Sequence, residues 1–212
     1  MRAVLIANGY IKNPSFIKEK ITRTDLVICV DGGLKYAHAA KIMPDYIIGD
    51  FDSADKELIE SYVSLGAEVL QFPKKKDLTD MEIAIELAEE KGIKELFIFG
   101  ATGGRSDHAT ANIMNLYQAL EMGMNAAIID EKEEIRITKD EIELHRPKGT
   151  ILSLVPIGGT AFKVKTEGLS YPLDYEDLYL GHSRGVSNIF EEEKAKVSLE
   201  KGALLVFINI VK

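Results

Sequence analysis

Residues 26–52 read LVICVDGGLKYAHAAKIMPDYIIGDFD, and the alternation inside this stretch decides the fold. LVICV (26–30) is an apolar run of strand length, and DGG follows it at once. Residues 34–41 carry a helical pattern, and YII (46–48) returns to a strand that ends in GDFDS. Strand, glycine turn, helix and strand make a βαβ unit. Its strands pair in parallel through a right-handed crossover.

The same alternation extends in both directions. Strands are expected at 3–7, 68–71, 96–99 and 126–129, and helices at 16–22, 56–65, 80–90 and 107–122. Such a series implies an open, mostly parallel α/β sheet, whose ligands sit beyond the carboxyl ends of the strands. After about residue 131 the pattern changes. Short strands are expected at 133–138, 142–146, 150–156, 161–166, 196–199 and 204–211, separated by turns such as 147–149, 158–159 and 200–202. Repeated short strands with turn signals and no amphipathic helix indicate an antiparallel, all-β sandwich-like unit. The reading is thus an α/β domain over 1–130 and a β-sandwich over 131–212.

Composition narrows the function. A chain of 212 residues with 46% hydrophobic content can fill a core. A formal net charge of −8 argues against coating nucleic acid. It leaves room for a nucleotide, because a metal ion inverts the local charge. Cys29 is the single cysteine and lies in an apolar run, where it reads as a small buried residue rather than a nucleophile. No intramolecular disulfide can form, which fits a reducing cytoplasm. The amino terminus is too short in apolar length for a signal peptide, and no stretch approaches a membrane span.

Four polar motifs fall where strands end. Asp31 follows LVICV, and Asp50 and Asp52 lie in GDFDS. Asp77 and Asp80 lie in KKKDLTDME, and GATGGRSDH brings Gly103, Gly104, Arg105, Asp107 and His108. In extended backbone alternate side chains point the same way, so Asp50 and Asp52 can aim at one ion while Phe51 faces the core. The bland reading makes Asp52 or Ser53 a helix cap, but a cap uses one residue and not two. Thr79 and Glu82 have capping-box spacing, and Asp77 and Asp80 gain from the following helix dipole. Metal or ribose binding competes evenly with that structural role. The glycines of DGG, Gly32 and Gly33, make either a strand-to-helix turn or a close backbone approach to a ligand. GATGGR resembles a phosphate-binding turn before a helix, with Arg105 placed to fork onto phosphate oxygens, though it is not a Walker A loop. Ser106 or Asp107 is read as the cap of that helix. His38 reads as structural, and His145 and His182 lack metal-ligand spacing. Carboxylates gathered at strand ends beside glycine turns suit a divalent cation held against a phosphorylated ligand. In the second half GHSRGVSNIF is unusually polar, and Ser183, Ser187 and Asn188 are candidates to contact a small ligand; a surface hairpin is the simpler reading.

Taken in order, DGG, GDFDS, KDLTD, GATGGRSDH and GLSYPLDYEDLYLGHSRGVSN resemble the thiamine pyrophosphokinase family over nearly the whole chain. The resemblance implies an α/β nucleotide domain followed by a β-sandwich, and a homodimer with thiamine bound between subunits. It implies transfer of the pyrophosphoryl group of ATP to thiamine with Mg2+. Carried onto this sequence, it makes Asp31, Asp50, Asp52, Asp77 and Asp80 the metal- and ATP-handling acids. Asp50, Asp52, Asp77 and Asp80 are the implied metal ligands, and Asp50, Asp52, Asp80 and Arg105 the implied catalytic set. Gly32, Gly33 and Thr79 belong with ATP binding, and Gly103, Gly104, Arg105, Asp107 and His108 surround its phosphates. Ser187 and Asn188 match the thiamine-contacting segment. The chain has no tryptophan, so Phe190 or another aromatic ring is expected to stack on thiamine. Two alternatives carry their own discriminants. A phosphatase with a D-x-D nucleophile would form an aspartyl-phosphate, and a thiamine or nucleotide sensor would bind both ligands without turnover.

Overall fold

The protein is described by a computed structural model that covers residues 1–51, 55–72 and 77–210. Among the described residues six parallel strands form its first half: β1 (Arg2–Ile6), β2 (Leu26–Val30), β3 (Tyr46–Gly49), β4 (Glu68–Gln71), β5 (Glu95–Phe99) and β6 (Asn125–Ile129). They lie in the order β4-β3-β2-β1-β5-β6. Successive side chains of a strand face opposite ways, so each strand feeds two cores. Val4 and Ile6 of β1 pack with Ile17 of α1 (Ser15–Lys20), Leu34 and Ala37 of α2 (Leu34–Ala39) and Tyr62 of α3 (Lys56–Ser64). Ala3 and Leu5 pack on the other face with Met81 and Ile85 of α4 (Asp80–Glu90) and Leu116 and Leu120 of α5 (Ser106–Glu121). This is the expected α/β sheet with helices on both faces. Cys29 is fully buried among the first group, and burial pushes its thiol pKa up. His38 packs edge-on against Tyr62 in the structural role expected for it.

The second half is β-rich, and no helix follows Glu121 among the described residues. β7 (Glu133–Thr138) turns back antiparallel to β6 and continues the same sheet. One expectation fails here. The runs at 150–156 and 161–166 are not two strands split by a turn, but a single strand, β9 (Ile151–Glu167). Gly158 and Gly159, at φ 73° and 144°, bend it without ending it. The first half of β9 pairs with β13 (Lys201–Asn209) and with the short β11 (Asn188–Ile189). Its second half pairs with β10 (Glu176–Leu178) and β12 (Lys194–Ser198), and β8 (Glu141–His145) lies beyond β12. β9 therefore passes from one layer to the other, and Leu144, Leu152, Leu154, Val164, Phe190 and Val197 fill the space between them. The buried carboxylate of Glu134 on β7 takes ion pairs from Arg136 on the same strand and from Arg146, which follows β8.

The two halves share a sheet. β13 pairs with β7 on one side and β9 on the other. Leu204, Val206 and Ile208 of β13 face the sandwich core, while Ala203 and Leu205 face the core beneath α5. Among the described residues no helix is long and apolar enough to cross a membrane.

Candidate active site

The order of the parallel strands reverses between β1 and β5, so the crevice beyond their carboxyl ends is the switch point where ligands of such sheets bind. The acids lie to one side of it. Asp31 immediately follows β2 and Asp50 immediately follows β3, whose register pairs Val30 with Ile48. Asp31 and Phe51 both adopt positive φ, 50° and 59°. Such backbone is costly for non-glycine residues and concentrates at functional sites. A Cβ added to Gly49 would lie 2.9 Å from Asp31 Oδ1. Glycine at 49 therefore leaves room for the Asp31 carboxylate beside the backbone that carries Asp50. Gly33 is required by a closer approach, since a Cβ there would lie 1.9 Å from the Ile6 carbonyl oxygen of β1. Asp77 precedes α4 and Asp80 begins it. Asp52 lies outside the described residues, as do Ser53 and Lys74–Lys76.

The helix caps divide by role. Thr79 and Glu82 form the expected capping box: the Glu82 amide donates to Thr79 Oγ1 at 3.2 Å, and the Thr79 amide donates to Glu82 Oε2 at 2.8 Å. The cap of α3 is Asp55, whose side chain accepts from the Leu58 amide at 3.1 Å; the cap expected at residue 52 or 53 is not the one used. α5 differs from both. Its N-cap is Arg105, not Ser106 or Asp107, and no side chain caps it. A helix start of this kind leaves backbone donors and positive potential for an anion.

The GATGG turn lies before that helix. Asn112 of α5 steadies it, donating from Nδ2 to the Ala101 carbonyl at 2.7 Å, and the Gly9 amide donates to the Gly100 carbonyl at 2.8 Å. Gly104 has open space where a Cβ would be. Arg105 forks onto Asp107, with Nε–Oδ1 3.1 Å and Nη2–Oδ2 2.6 Å, and both side chains are exposed. Arg105, together with the His108 amide that donates to Oδ1, holds the Asp107 carboxyl down at about 2. His108 itself is exposed in the first turn of α5.

Three residues at strand ends or on α2 join the site without having been singled out in the sequence. Lys35 Nζ donates to Asn8 Oδ1 at 2.7 Å, and Gln71 Nε2 reaches the Asp50 carbonyl at 3.4 Å. Asn8 follows β1 directly in ANGY, a strand-end pattern equivalent to DGG and GDFD, and that equivalence was available in the sequence.

The GVSN segment is far along the sheet. Ser187 is exposed at φ 60°, and its amide donates to Ser153 Oγ at 3.0 Å. Asn188 is buried and turned inward. Its Oδ1 accepts from the Tyr171 amide at 3.0 Å and the Ile189 amide at 2.9 Å, and its Nδ2 donates to the Tyr171 carbonyl at 2.7 Å. The side chain thus holds Tyr171, a residue that is 62% exposed. Phe190, expected as a stacking ring, is 1% exposed in the sandwich core and presents no face to a ligand.

Among the described residues no three carboxylate, imidazole or thiol groups form a cation cage. Mg2+ fits this arrangement all the same. It keeps several waters and is held by one or two carboxylates together with substrate phosphates. Asp50 after β3 supplies a hard oxygen donor of that kind, with the acid Asp31 beside it after the adjacent strand.

Residues 17–128 match the family model of the thiamin pyrophosphokinase catalytic domain. Residues 132–204 match that of the thiamin pyrophosphokinase vitamin B1 binding domain. Thiamine pyrophosphokinase of Bacillus subtilis (strain 168) is 28% identical over 211 residues, covering 97% of this chain and 98% of the relative. Thiamine pyrophosphokinase 1 of Oryza sativa subsp. japonica is 28% identical over 221 residues, covering 92% and 83%. The crystal structure of the Bacillus subtilis enzyme superposes with a TM-score of 0.90 at 26% identity, covering 100% of both chains. Thiamin pyrophosphokinase from Candida albicans shares the fold, with a TM-score of 0.85 at 18% identity over 99% of this chain and 89% of the other. This chain belongs to the thiamine pyrophosphokinase family.

Proposed function

We propose that the chain transfers the pyrophosphoryl group of ATP to the hydroxyl of thiamine, giving thiamine diphosphate and AMP. The observation that carries this reading is the arrangement along one sheet edge. Strand-end aspartates lie to one side of the switch point, and the glycine turn, Arg105 and the start of α5, which has no side-chain cap, follow β5. The hydroxyethyl oxygen of thiamine attacks the β-phosphorus, the bond from that phosphorus to the α–β bridging oxygen breaks, and AMP leaves with the electron pair. The alcohol proton passes to one of the aspartates. Catalysis of this step is chiefly positioning and charge stabilisation. Asp50 and Asp52, with Asp77 and Asp80, would hold Mg2+, which when bound neutralises charge on the phosphates. Arg105 and the Gly103 and Gly104 amides stabilise charge on the transferred group.

In this reading residues 1–130 handle ATP and residues 131–212 handle thiamine, a division supported by the two family models. Asn188 acts as a positioning residue rather than through direct contact, because its amide is engaged by Tyr171 and Ile189. The exposed Tyr171 ring beside Ser187 is the aromatic surface offered to thiamine. The assembly is a homodimer with thiamine bound between subunits, in the cytoplasm, where a single buried cysteine stays reduced. Incubation with ATP, Mg2+ and thiamine, with products separated by mass, tests the reaction. AMP must appear in step with thiamine diphosphate. ADP with thiamine monophosphate would overturn the pyrophosphoryl assignment.

A further inference from the structure

β7 carries a row of polar side chains between two apolar cores. Glu134, Arg136 and Thr138 alternate with Ile135 and Ile137, which face the core beneath α5, so the polar row lies on the opposite face of the sheet. On that face Arg136 is flanked by Ala127 of β6 and Val206 of β13, and Glu134 by Ile129 and Ile208. Ala127 and Ile129 belong to the core packed by α1, α2 and α3, and Val206 and Ile208 to the sandwich core. The row is the seam where the helix layer stops and the sandwich begins. Two guanidiniums meet there on one carboxylate. Arg136 Nε donates to Glu134 Oε1, and Arg146 Nη2 donates to Oε2. The Glu134 side chain is 8% exposed, against 32% for Arg136 and 28% for Arg146. The transfer chemistry uses none of the three.

We propose that Arg136 and Arg146 form a binding site for a phosphate-type oxyanion, with Glu134 as the buried post that holds the two guanidiniums side by side. A tie between β7 and the end of β8 needs one arginine, and Arg146 supplies it. Arg136 is then a second cation on the same carboxylate. The triad keeps a net positive charge in a chain whose formal net charge is −8. A guanidinium is not deprotonated in proteins, so the excess persists at any working pH. Among the described residues no second carboxylate pairs with either arginine. Donors remain as well. Arg146 Nη1 donates to the His145 carbonyl at 2.8 Å, and no described residue engages Arg136 Nη1, Arg136 Nη2 or Arg146 Nε. Among the described residues no buried side-chain nitrogen lacks a partner, so these donors face solvent. Planar forks set side by side match the oxygens of a phosphate, and a phosphate dianion answers a pair of cations better than a carboxylate does. Free inorganic phosphate and the phosphate end of a larger molecule share this chemistry. The site is separate from the strand-end aspartates and stands whether or not the proposed transfer occurs.

The test uses the full chain with nitrogen-labelled arginine, without Mg2+, so that the aspartates recruit no phosphate through a metal. Inorganic phosphate and thiamine diphosphate are titrated separately at constant ionic strength, and the Arg146 Nε–Hε resonance is followed by NMR. It should shift and saturate with inorganic phosphate, and stay in place with chloride. A shift with inorganic phosphate alone assigns the site to the free anion, and a shift with both probes extends it to phosphate carried on a larger molecule. Arg136→Gln keeps the Arg146–Glu134 pair and removes the second cation, and should raise the half-saturation concentration at least tenfold. Arg136→Lys keeps the charge but loses the fork, and should raise it severalfold. If Arg136→Gln does not fold, Arg136→Lys decides. An Arg146 resonance that does not move with inorganic phosphate, or a half-saturation within twofold of the parent in the Arg136 variants, would overturn the site and leave the triad as a structural tie.

Discussion

Replacing Asn188 with alanine separates a residue that touches thiamine from one that shapes the surface thiamine meets. The native amide makes three hydrogen bonds to backbone groups of Tyr171 and Ile189, at 3.0, 2.7 and 2.9 Å. Each is worth about 0.5–1.5 kcal/mol net, and a buried partner left unsatisfied costs more than the mean. A total of about 3 kcal/mol follows, which for a chain of this size lowers the thermal midpoint by roughly 6–12 °C. Freed from its clamp, Tyr171 no longer holds its ring in place, so the KM for thiamine should rise about tenfold, near 1.4 kcal/mol of binding. Tyr171→Ala should reproduce the KM change without the loss of stability, because it leaves every Asn188 hydrogen bond intact. Asn188→Asp keeps the acceptor for both amides but sets an oxygen against the Tyr171 carbonyl, and should fall between parent and alanine in stability. The assay is thermal unfolding followed by circular dichroism, alongside thiamine saturation at high ATP. An Asn188→Ala variant that unfolds within about 2 °C of the parent, under 1 kcal/mol by the same scaling, yet fails to bind thiamine would refute the positioning argument. The amide would then be a direct ligand contact.

Gly33→Ala should lower the thermal midpoint by at least 5 °C or abolish folding, since overpacking against backbone costs about 1–3 kcal/mol and the Cβ would lie 1.9 Å from the Ile6 carbonyl. Arg105→Lys keeps the charge but loses the planar fork, so kcat should fall while thiamine KM holds; a defect confined to thiamine KM would move Arg105 away from the phosphates. Asp107 has a folded pKa of about 2, below the unfolded value near 3.9. Its contribution is fully present above the unfolded value and is lost as pH falls through about 2, so the acid limb of the pH–rate profile above about pH 4 should stay in place in Asp107→Asn even if the rate drops. Asp52→Asn subunits should lose roughly two powers of ten in turnover, about 2.7 kcal/mol of barrier, and at thiamine concentrations well below the raised KM a mixture with Tyr171→Ala subunits should exceed the summed activity of the two variants assayed alone.

Most of the α/β half was legible because its signals are local. LVICV, DGG and the helix after it fix a βαβ unit without reference to anything distant, and the Thr79–Glu82 spacing fixes a capping box. What escaped the sequence depends on partners remote in the chain. Gly158 and Gly159 read as a turn, yet β9 continues through them because β13 pairs with its first half and β12 with its second. Asn188 reads as a ligand contact, because a polar residue in a polar segment carries no sign that Tyr171, 17 residues earlier, will engage its amide. Phe190 looks available until the sandwich closes around it. The cap of α3 moved to Asp55 because several residues in GDFDSAD are competent caps, and only the observed helix start chooses among them. Asn8 and Lys35 were missed for a different reason: a strand-end Asn-Gly and a lysine on a short helix are common, and only the strand order puts them at the switch point.

The sharing of β13 between two cores bears on how the site closes. A hinge between the halves would have to break the pairing of β13 with β7, or expose Leu204 and Val206 on one face and Ala203 and Leu205 on the other. Either costs far more than a domain closure supplies, so the halves move as one body. Along their continuous sheet, β3 and β11 are eight strand steps apart. At about 4.8 Å per step that is roughly 38 Å along the sheet, and curvature shortens it only in part. The reacting oxygen must come within about 3–3.5 Å of phosphorus. With the roles proposed above, one thiamine at the Tyr171–Ser187 surface of a chain would lie too far along the sheet to meet phosphates at Asp50 of that same chain. The proposed second copy, related by the two-fold axis commonest among homo-oligomers, would remove the difficulty by laying its sandwich against the aspartate edge of the first. The subunit-mixing experiment reads this directly. Verified subunit exchange with no activity above the sum of the two variants would put both sets of residues in one chain's site and refute the separation inferred from the shared sheet.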